Sequence, residues 1–579
     1  MNRFFRSRFL TASLAATLAI VAATAHGQVA ADSSASVGQE RILLVLPFNN
    51  LTVTSAPAPA SASQADKLTV PDSSSLDWIS EAAPEILNSR FSSAGFLPLT
   101  REDRLYALDH LGLPENFEPS RATALRIAET LDANYILIGS YSAEGATLTL
   151  TSRIVDVNKL HISDPVTTSG PISQLIPLLN TFAWQLTRKL DPKFSVAEET
   201  FRAAGSGIRL DAFEQYIRGL TEHDVAERLR HLKKATELNP DFTAAWLATG
   251  KLQFASQEYE QAAVSFSKVT RNDPYALEAG FYRGLSLIFT GNYAHAEEAF
   301  GSVARVLPLP EVVNNEGVAS SRREHDATPL FHQAVAADPT DADYHFNLAI
   351  SLHRHGNNEE ALNELSESLK LRPNDSEAKT LRTAWQSAGK SQPPSGAVDS
   401  GPESIERLKR AYNGAAYRQA ALMLDQVEQA RLAALPGPQR AAQLCSSARD
   451  KLNRGLLLEA ERGYQAALAA DSKSAEAHAG LAEVRERAGD TESARAEAQT
   501  ALQNQPNLNA YLVLARIDLA ANRLTEARDE ADHAVRLDGS NRAAKDLRKA
   551  IDARIESQPA GDTKPTQSRP ADSSGITLQ

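Results

Sequence analysis

The chain has one cysteine, Cys445, in 579 residues, which excludes an internal disulfide framework and any zinc site built on cysteines. Aromatic residues are scarce at 6%. Positive charge is short as well: 60 Lys+Arg stand against 72 Asp+Glu, a formal charge of −12. Nucleic-acid affinity comes largely from basic side chains neutralising phosphates, so no nucleic-acid partner is expected. Beyond Ala23 no apolar run approaches the roughly 20 residues of a membrane-spanning helix. A phosphate-cradling glycine loop is missing too, because Gly205-Ser206-Gly207 lacks a third glycine and a preceding buried strand. Neither H-E-x-x-H nor a nucleophile elbow occurs. Histidines gather at His325, His332, His345, His353 and His355, but His353 and His355, two apart on a helix, point to different sides; solvated or groove-facing histidines are expected, not metal ligands. Cys445, beside Leu444 and near Ala448, reads as a small core residue. No catalytic residue, cofactor or metal is implied, and no enzymatic activity is expected.

What is present begins with an address. Arg3, Arg6 and Arg8 precede an apolar run from Phe9 to Ala23 and a small-residue stretch, the pattern of a secretory signal peptide over residues 1–27 with cleavage after Ala25 or Gly27. The alternative is an uncleaved anchor, although the run is short for a span. No cysteine stands at the cleavage point, so a lipoprotein is not expected. Losing three arginines takes the formal charge from −12 to −15, and the expected location is exported and periplasmic, with a membrane reached only through partners or an uncleaved signal segment.

The chain then repeats itself. Pro240, Pro274 and Pro308 are each 34 apart, Pro339 follows after 31 and Pro373 after another 34. Gly455 and Gly489, Ala460 and Ala494, and Ala467 and Ala501 keep the same spacing of 34. Such a period fits two helices and two short turns. One copy carries Trp246, Gly250, Tyr259, Ala262, Phe266 and Pro274, the next Gly284, Gly291, Tyr293, Ala296, Phe300 and Pro308, and a later one Leu348, Ala349, Gly356, Ala361, Leu365 and Pro373. Small residues in each first helix let its partner approach, large ones fill the space between hairpins, and proline marks helix boundaries. In type and spacing these residues resemble the tetratricopeptide repeat signature.

The expected organisation is a multidomain α/β plus all-α chain: a small α/β domain over 41–200, a repeat array over 209–388, a flexible Pro/Gly/Ser-rich linker at 389–403, a second array over 404–555 and a disordered tail at 556–579. In the second array helical periodicity is read from Ile405 and Leu408 onward, with repeat-like units beginning near Ala441, Ala475 and Asn509. In the α/β segment, Arg41 to Phe48 reads as a strand buried on both faces. Leu148, Leu150 and Ile154 read as one strand of a hairpin whose partner carries Leu160 and Ile162, and Ile172 to Leu190 as a helix kinked or reopened at Pro177. The pieces Val45-Leu46-Pro47-Phe48-Asn49-Asn50-Leu51, Ile136-Leu137-Ile138-Gly139-Ser140 and Arg153-Ile154-Val155-Asp156 resemble the amino-terminal domain of TolB and related CsgG- and FlgO-type envelope proteins. The insertion Thr52 to Asp72 departs from that pattern, and no propeller follows.

Stacked hairpins present a concave groove lined by first helices, suited to a helix or an extended peptide. The repeat resemblance implies groove positions at Leu247, Lys251 and Phe254; at Phe281, Leu285, Ile288 and Phe289; and at Phe346, Ile350, His353 and Arg354. Several of these side chains equally fit packing within the array. The expected function is a non-enzymatic scaffold binding protein or peptide partners in the bacterial envelope, a groove partner having apolar anchors and some acidic character. The alternative is a sensor in which the α/β domain binds a small molecule or cell-wall fragment and the repeats relay that state.

Overall fold

Ten-residue strands at Tyr135–Glu144 and Thr147–Asp156 form the longest pairing in the sheet. The computed structural model describes residues 41–52, 76–114, 120–204, 207–271, 273–388 and 405–557. The signal segment, nearly all of the insertion after Thr52, Gly205-Ser206, the 389–403 linker and all but the first two residues of the tail lie outside the described residues. Strands β1 (Ile42–Val45), β2 (Asn49–Asn50), β3 (Leu97–Pro98), β4 (Tyr135–Glu144), β5 (Thr147–Asp156), β6 (His161–Ile162) and β7 (Val166–Pro171) run in the order β3-β1-β4-β5-β6, with β2 also on β4 and β7 also on β5. β1 is parallel to β3 and to β4, and β4 and β5 are an antiparallel hairpin closed by Gly145-Ala146. The pairing expected between Leu148–Ile154 and Leu160–Ile162 is therefore reduced to two residues. β4 runs on past Ser140 and takes one edge of β5, while β7 takes most of the other.

The helices of this domain are α1 (Ile79–Ser93), α2 (Arg101–His110), α3 (Arg121–Thr130) and α4 (Leu175–Leu190). Leu44, Ile136 and Val155 pack against Ala107, Leu108, Ile127 and Ala128 of α2 and α3. Alternate residues point the other way, so β1 is buried on both faces, as its unbroken apolar run requires. Phe48 meets Phe182 of α4 edge-on with ring centroids 6.3 Å apart. Pro84 lies inside α1 and has no N–H to offer the carbonyl of Ser80. The N–H of Phe48 donates to that carbonyl at 3.0 Å, so the proline in the helix creates the clip that holds the end of the β1 segment. Pro177 sits in the first turn of α4, where no intrahelical bond is lost, and the helix opens at Leu175.

After the short α5 (Glu198–Ala203), helices pair as hairpins: α6 (Leu210–Thr221) with α7 (Val225–Leu238), α8 (Thr243–Ala255) with α9 (Tyr259–Ser267), α10 (Ala276–Phe289) with α11 (Tyr293–Ala304), α12 (Pro310–Ser321) with α13 (Thr328–Ala337), and α14 (Ala342–Arg354) with α15 (Asn358–Leu371), followed by α16 (Ser376–Ala388). The small residues do what their period predicts: a Cβ on Gly284 would lie 2.6 Å from the Phe300 ring. Beyond α17 (Gly414–Ala433), the later hairpins are α18 (Gly437–Asn453) with α19 (Leu457–Ala470), α20 (Ala475–Ala488) with α21 (Thr491–Asn504), and α22 (Leu508–Ala520) with α23 (Leu524–Leu537), ending on α24 (Arg542–Glu556). Here Ala494, Ala498 and Ala501 are buried, and Cys445 packs among Ala441, Ala448 and Tyr464, its thiol pushed up to about 11 by burial.

Two compact units result, with boundaries different from those expected. Described residues through Lys193 and from Gly207 to Arg431 form one; Phe194–Ala204 and the chain from Leu432 form the other. The helix expected from Ile405 begins only at Gly414, and Ile405–Asn413 has no regular secondary structure. The second array does not start at 404, because that stretch belongs to the first unit. Within the first unit the α/β domain meets the opening repeats through Trp78 against Phe213, the Tyr216 hydroxyl donating to Glu85 at 2.8 Å, and Lys251 paired with Glu102 at 2.8 Å.

Gly139 tests the α/β core. A Cβ there would lie 2.3–2.4 Å from three atoms of the Phe48 ring. Gly139→Ala is expected to destabilise by about 1–3 kcal/mol, and Phe48→Leu in the same chain to recover part of the loss, read from denaturant unfolding.

Candidate functional site

The stretch Ile405–Asn413 (IERLKRAYN) lies along the first helices α10, α12 and α14, held at its main chain by asparagines. In an extended chain the N–H and C=O of one residue point the same way, and residues two apart share that direction, so a side-chain amide can close two bonds with a single residue. Asn347 does this with Arg407: its Oδ1 accepts from the Arg407 N–H at 2.7 Å and its Nδ2 donates to the Arg407 carbonyl at 2.8 Å. Asn315 does the same with Lys409, at 2.9 and 2.7 Å. Asn314 ties the two together, donating to the Arg407 carbonyl at 3.0 Å and accepting from Asn347 at 2.8 Å. All three asparagines are fully buried.

Side chains add a charge pattern to this grip. The Glu406 carboxylate is buried and receives Arg354, the Ser321 hydroxyl and Arg322, the last at 3.3 Å. The Arg407 guanidinium lies 3.5 Å above the Phe346 ring and reaches Asp375 at 2.6 Å and Glu377 at 2.9 Å. A cation stacked on a ring away from water is worth up to about 2 kcal/mol. Lys409 pairs with Asp341 and Asp343, both at 2.7 Å, over the Tyr344 ring. Arg410 lies over Phe289, Tyr412 meets Phe281 and Tyr417, and Leu408 packs against two of the repeat cores. Two carboxyls register this setting. The hydrogen bond from Arg407 outweighs burial and holds Asp375 below the ordinary carboxylate range. Burial would raise Asp343, but hydrogen bonds from Arg372 and Lys409 overcome it and hold that group well below the range.

Of the groove positions implied by the repeat resemblance, Phe281, Phe289, Phe346 and Arg354 meet this segment, and Ile288 lines the same hollow. Leu247, Leu285 and Ile350 are buried in the cores between helices. Lys251 is turned to Glu102 and Glu278, Phe254 packs on Tyr259 and Tyr282, and His353 stacks on Trp385 at 4.1 Å. This segment carries one Glu against two Arg and one Lys, and the carboxylates of Asp341, Asp343, Asp375 and Glu377 pair with its bases. The asparagines are not among the expected groove positions, yet the sequence carries a signal: Asn315 and Asn347 each stand two residues before the small residue of their copy, Gly317 and Ala349.

A second stretch is held in the other unit. Glu461 of α19, fully buried, accepts from the N–H of Ala197 at 3.1 Å and from the Thr200 hydroxyl, while Gln465 donates to the Ser195 carbonyl at 3.1 Å. Burial raises the Glu461 carboxyl above its ordinary value against the pull of those donors. Among the described residues no group of three or more His, Cys, Asp and Glu is placed to hold a metal ion, and no helix is long and apolar enough to cross a membrane.

Family models described as tetratricopeptide repeat match residues 320–384 and, in a second form, 223–277, 445–509 and 485–542. The matched stretches of both units are tetratricopeptide repeats. Similar solved structures include MamA from Desulfovibrio magneticus RS-1 (22% identity, 29% of this chain and 99% of that one, TM-score 0.27). Others are YrrB, described as a TPR protein with an unusual peptide-binding site (17%, 35% and 99%, TM-score 0.27), and the LpoB C-terminal domain from Salmonella enterica (21%, 22% and 82%, TM-score 0.17). No curated protein matches the sequence.

The Arg407–Asp375 pair sets a pH dependence. A carboxyl whose value is lowered by folding adds stability that is complete above its unfolded value, about 3.9, and is lost as pH falls through the folded value. Asp375→Asn is therefore expected to cost about 1.5–3 kcal/mol at pH 7. The gap to the parent chain should persist down to about pH 4 and close below it, as followed by thermal unfolding across that range.

Proposed function

We propose that the chain is an exported, non-enzymatic scaffold of the bacterial envelope whose first repeat array holds an extended protein segment along its groove. The observation that carries this reading is the set of paired amide bonds from Asn315 and Asn347 to alternate main-chain residues of Ile405–Asn413. That arrangement binds peptide backbone. Tetratricopeptide repeats serve as protein-interaction surfaces, and the two arrays here supply separate ones. The TolB-like reading of residues 41–200 rests on the motifs at Val45–Leu51 and Ile136–Ser140, and the envelope location on the arginine-led apolar segment at the amino terminus.

Two measurements test the proposal. A photoreactive residue in place of Tyr293, beside Phe289 at the groove, is expected to give adducts with another polypeptide in living cells, and Asn315→Ala with Asn347→Ala to reduce them about tenfold or more. A chain that forms no such adducts sinks the scaffold reading. Sequencing the amino terminus of protein recovered from the periplasm should begin after Ala25 or Gly27; recovery only from the cytoplasm with the segment intact removes the envelope assignment.

A further inference from the structure

The groove of the first array is already filled, and what fills it describes what else fits. Three features of Ile405–Asn413 are those of a held ligand. Its main chain is bonded by side-chain amides, which grip any extended chain, and not by neighbouring strands or its own turns. Ion pairs accompany the packing of Leu408 and Tyr412 at three of its residues: the buried Glu406 with Arg354 and Arg322, Arg407 with Asp375, and Lys409 with Asp343. Its first apolar residue, Ile405, is 59% exposed, so the segment is not anchored at that end by burial.

Building on the scaffold reading, we infer that Ile405–Asn413 is a resident ligand occupying the site of a partner segment with the same charge order: an acidic residue, then arginine, an apolar residue and lysine, with an aromatic residue three positions later. The amides supply grip and the charges supply choice. Glu406 is chosen by two guanidiniums, while Arg407 and Lys409 meet carboxylates, so exchanging an acid for a base along the segment buries like charges together and weakens binding about tenfold against the parent order. Being covalently attached, the resident segment competes at an effective concentration in the millimolar range, and a partner enters only by matching its pattern. The groove is thereby kept from chance sequences.

The experiment uses the full chain and labelled peptides: IERLKRAYN, and the same composition with its Glu and Lys exchanged. In the chain carrying Arg407→Glu and Lys409→Glu, whose own segment is repelled by Asp343 and Asp375, the parent-order peptide is expected to bind about tenfold tighter than to the unaltered chain and about tenfold tighter than the exchanged peptide. Adding Asn315→Ala and Asn347→Ala should abolish this binding. In the unaltered chain, excess parent-order peptide is expected to speed amide hydrogen exchange at Arg407 and Lys409, a readout that needs no variant to fold. Equal binding of the two peptides overturns the charge-order assignment while leaving the amide grip, and with it the scaffold reading, intact. Absence of binding to the altered chain, together with exchange untouched by peptide, overturns the resident-ligand inference and makes the segment a fixed strap; whether partners are held at all is then decided separately by the cross-linking.

Discussion

A buried main-chain N–H or C=O must find a partner, and the chain between Ile405 and Asn413 runs along helices whose own main-chain groups are already spent on one another. Everything distinctive about the first array follows from how that demand is met. Asn314, Asn315 and Asn347 are fully buried polar side chains in the middle of first helices, positions where an unpaired amide would be costly. They are satisfied only because an extended chain lies against them, and the chain is satisfied only because they are there. The groove and its occupant thus form one hydrogen-bonded unit, around which the charged pairs are arranged.

The same demand shapes the α/β domain. Pro84 leaves the Ser80 carbonyl without its helical donor, and the N–H of Phe48 takes that place, so a helix defect becomes the joint between sheet and helix. The far end of the Phe48 ring in turn stands against Gly139, where any side chain would collide with it. In the second unit a buried carboxylate, Glu461, answers the N–H of Ala197 and the hydroxyl of Thr200. Three places where the chain is irregular are each secured by a polar group supplied from elsewhere in the sequence.

How much of this the sequence discloses depends on whether the cause is local. The period of 34 and the small residues facing large ones are local to each hairpin, so Gly284 against Phe300 and the alanines of the second array stand out without a structure. The strand expected over Arg41–Phe48 forms at Ile42–Val45, and it is equally plain, since a doubly covered strand tolerates such a run. Ile405 and Leu408 misled for the opposite reason: their spacing of three is helical in form, but the groove offers the segment amide and carboxylate partners that an isolated helix there would forgo, and tertiary bonding overrides the pattern. Asn315 and Asn347 do not stand out, because asparagine in a helix reads as a weak helix former; only their equal place in successive copies marks them as a pair.

The division of labour in the groove has a consequence for specificity. Amide pairs recognise a main chain of any sequence, so their contribution is nearly the same for a right and a wrong segment and cannot discriminate. Discrimination has to come from groups that punish a mismatch, and a buried carboxylate such as Glu406, ringed by Arg354 and Arg322, does this strongly because removing or reversing one member strands the other away from water. Carboxylates along the rest of the path, Asp343 and Asp375 among them, are kept ionised by the bases they hold and turn the groove against acidic chains. These carboxylates disfavour acidic chains along that part of the path and pair with the basic residues Arg407 and Lys409. The charge balance that argued against nucleic acid therefore also selects what lies in the groove.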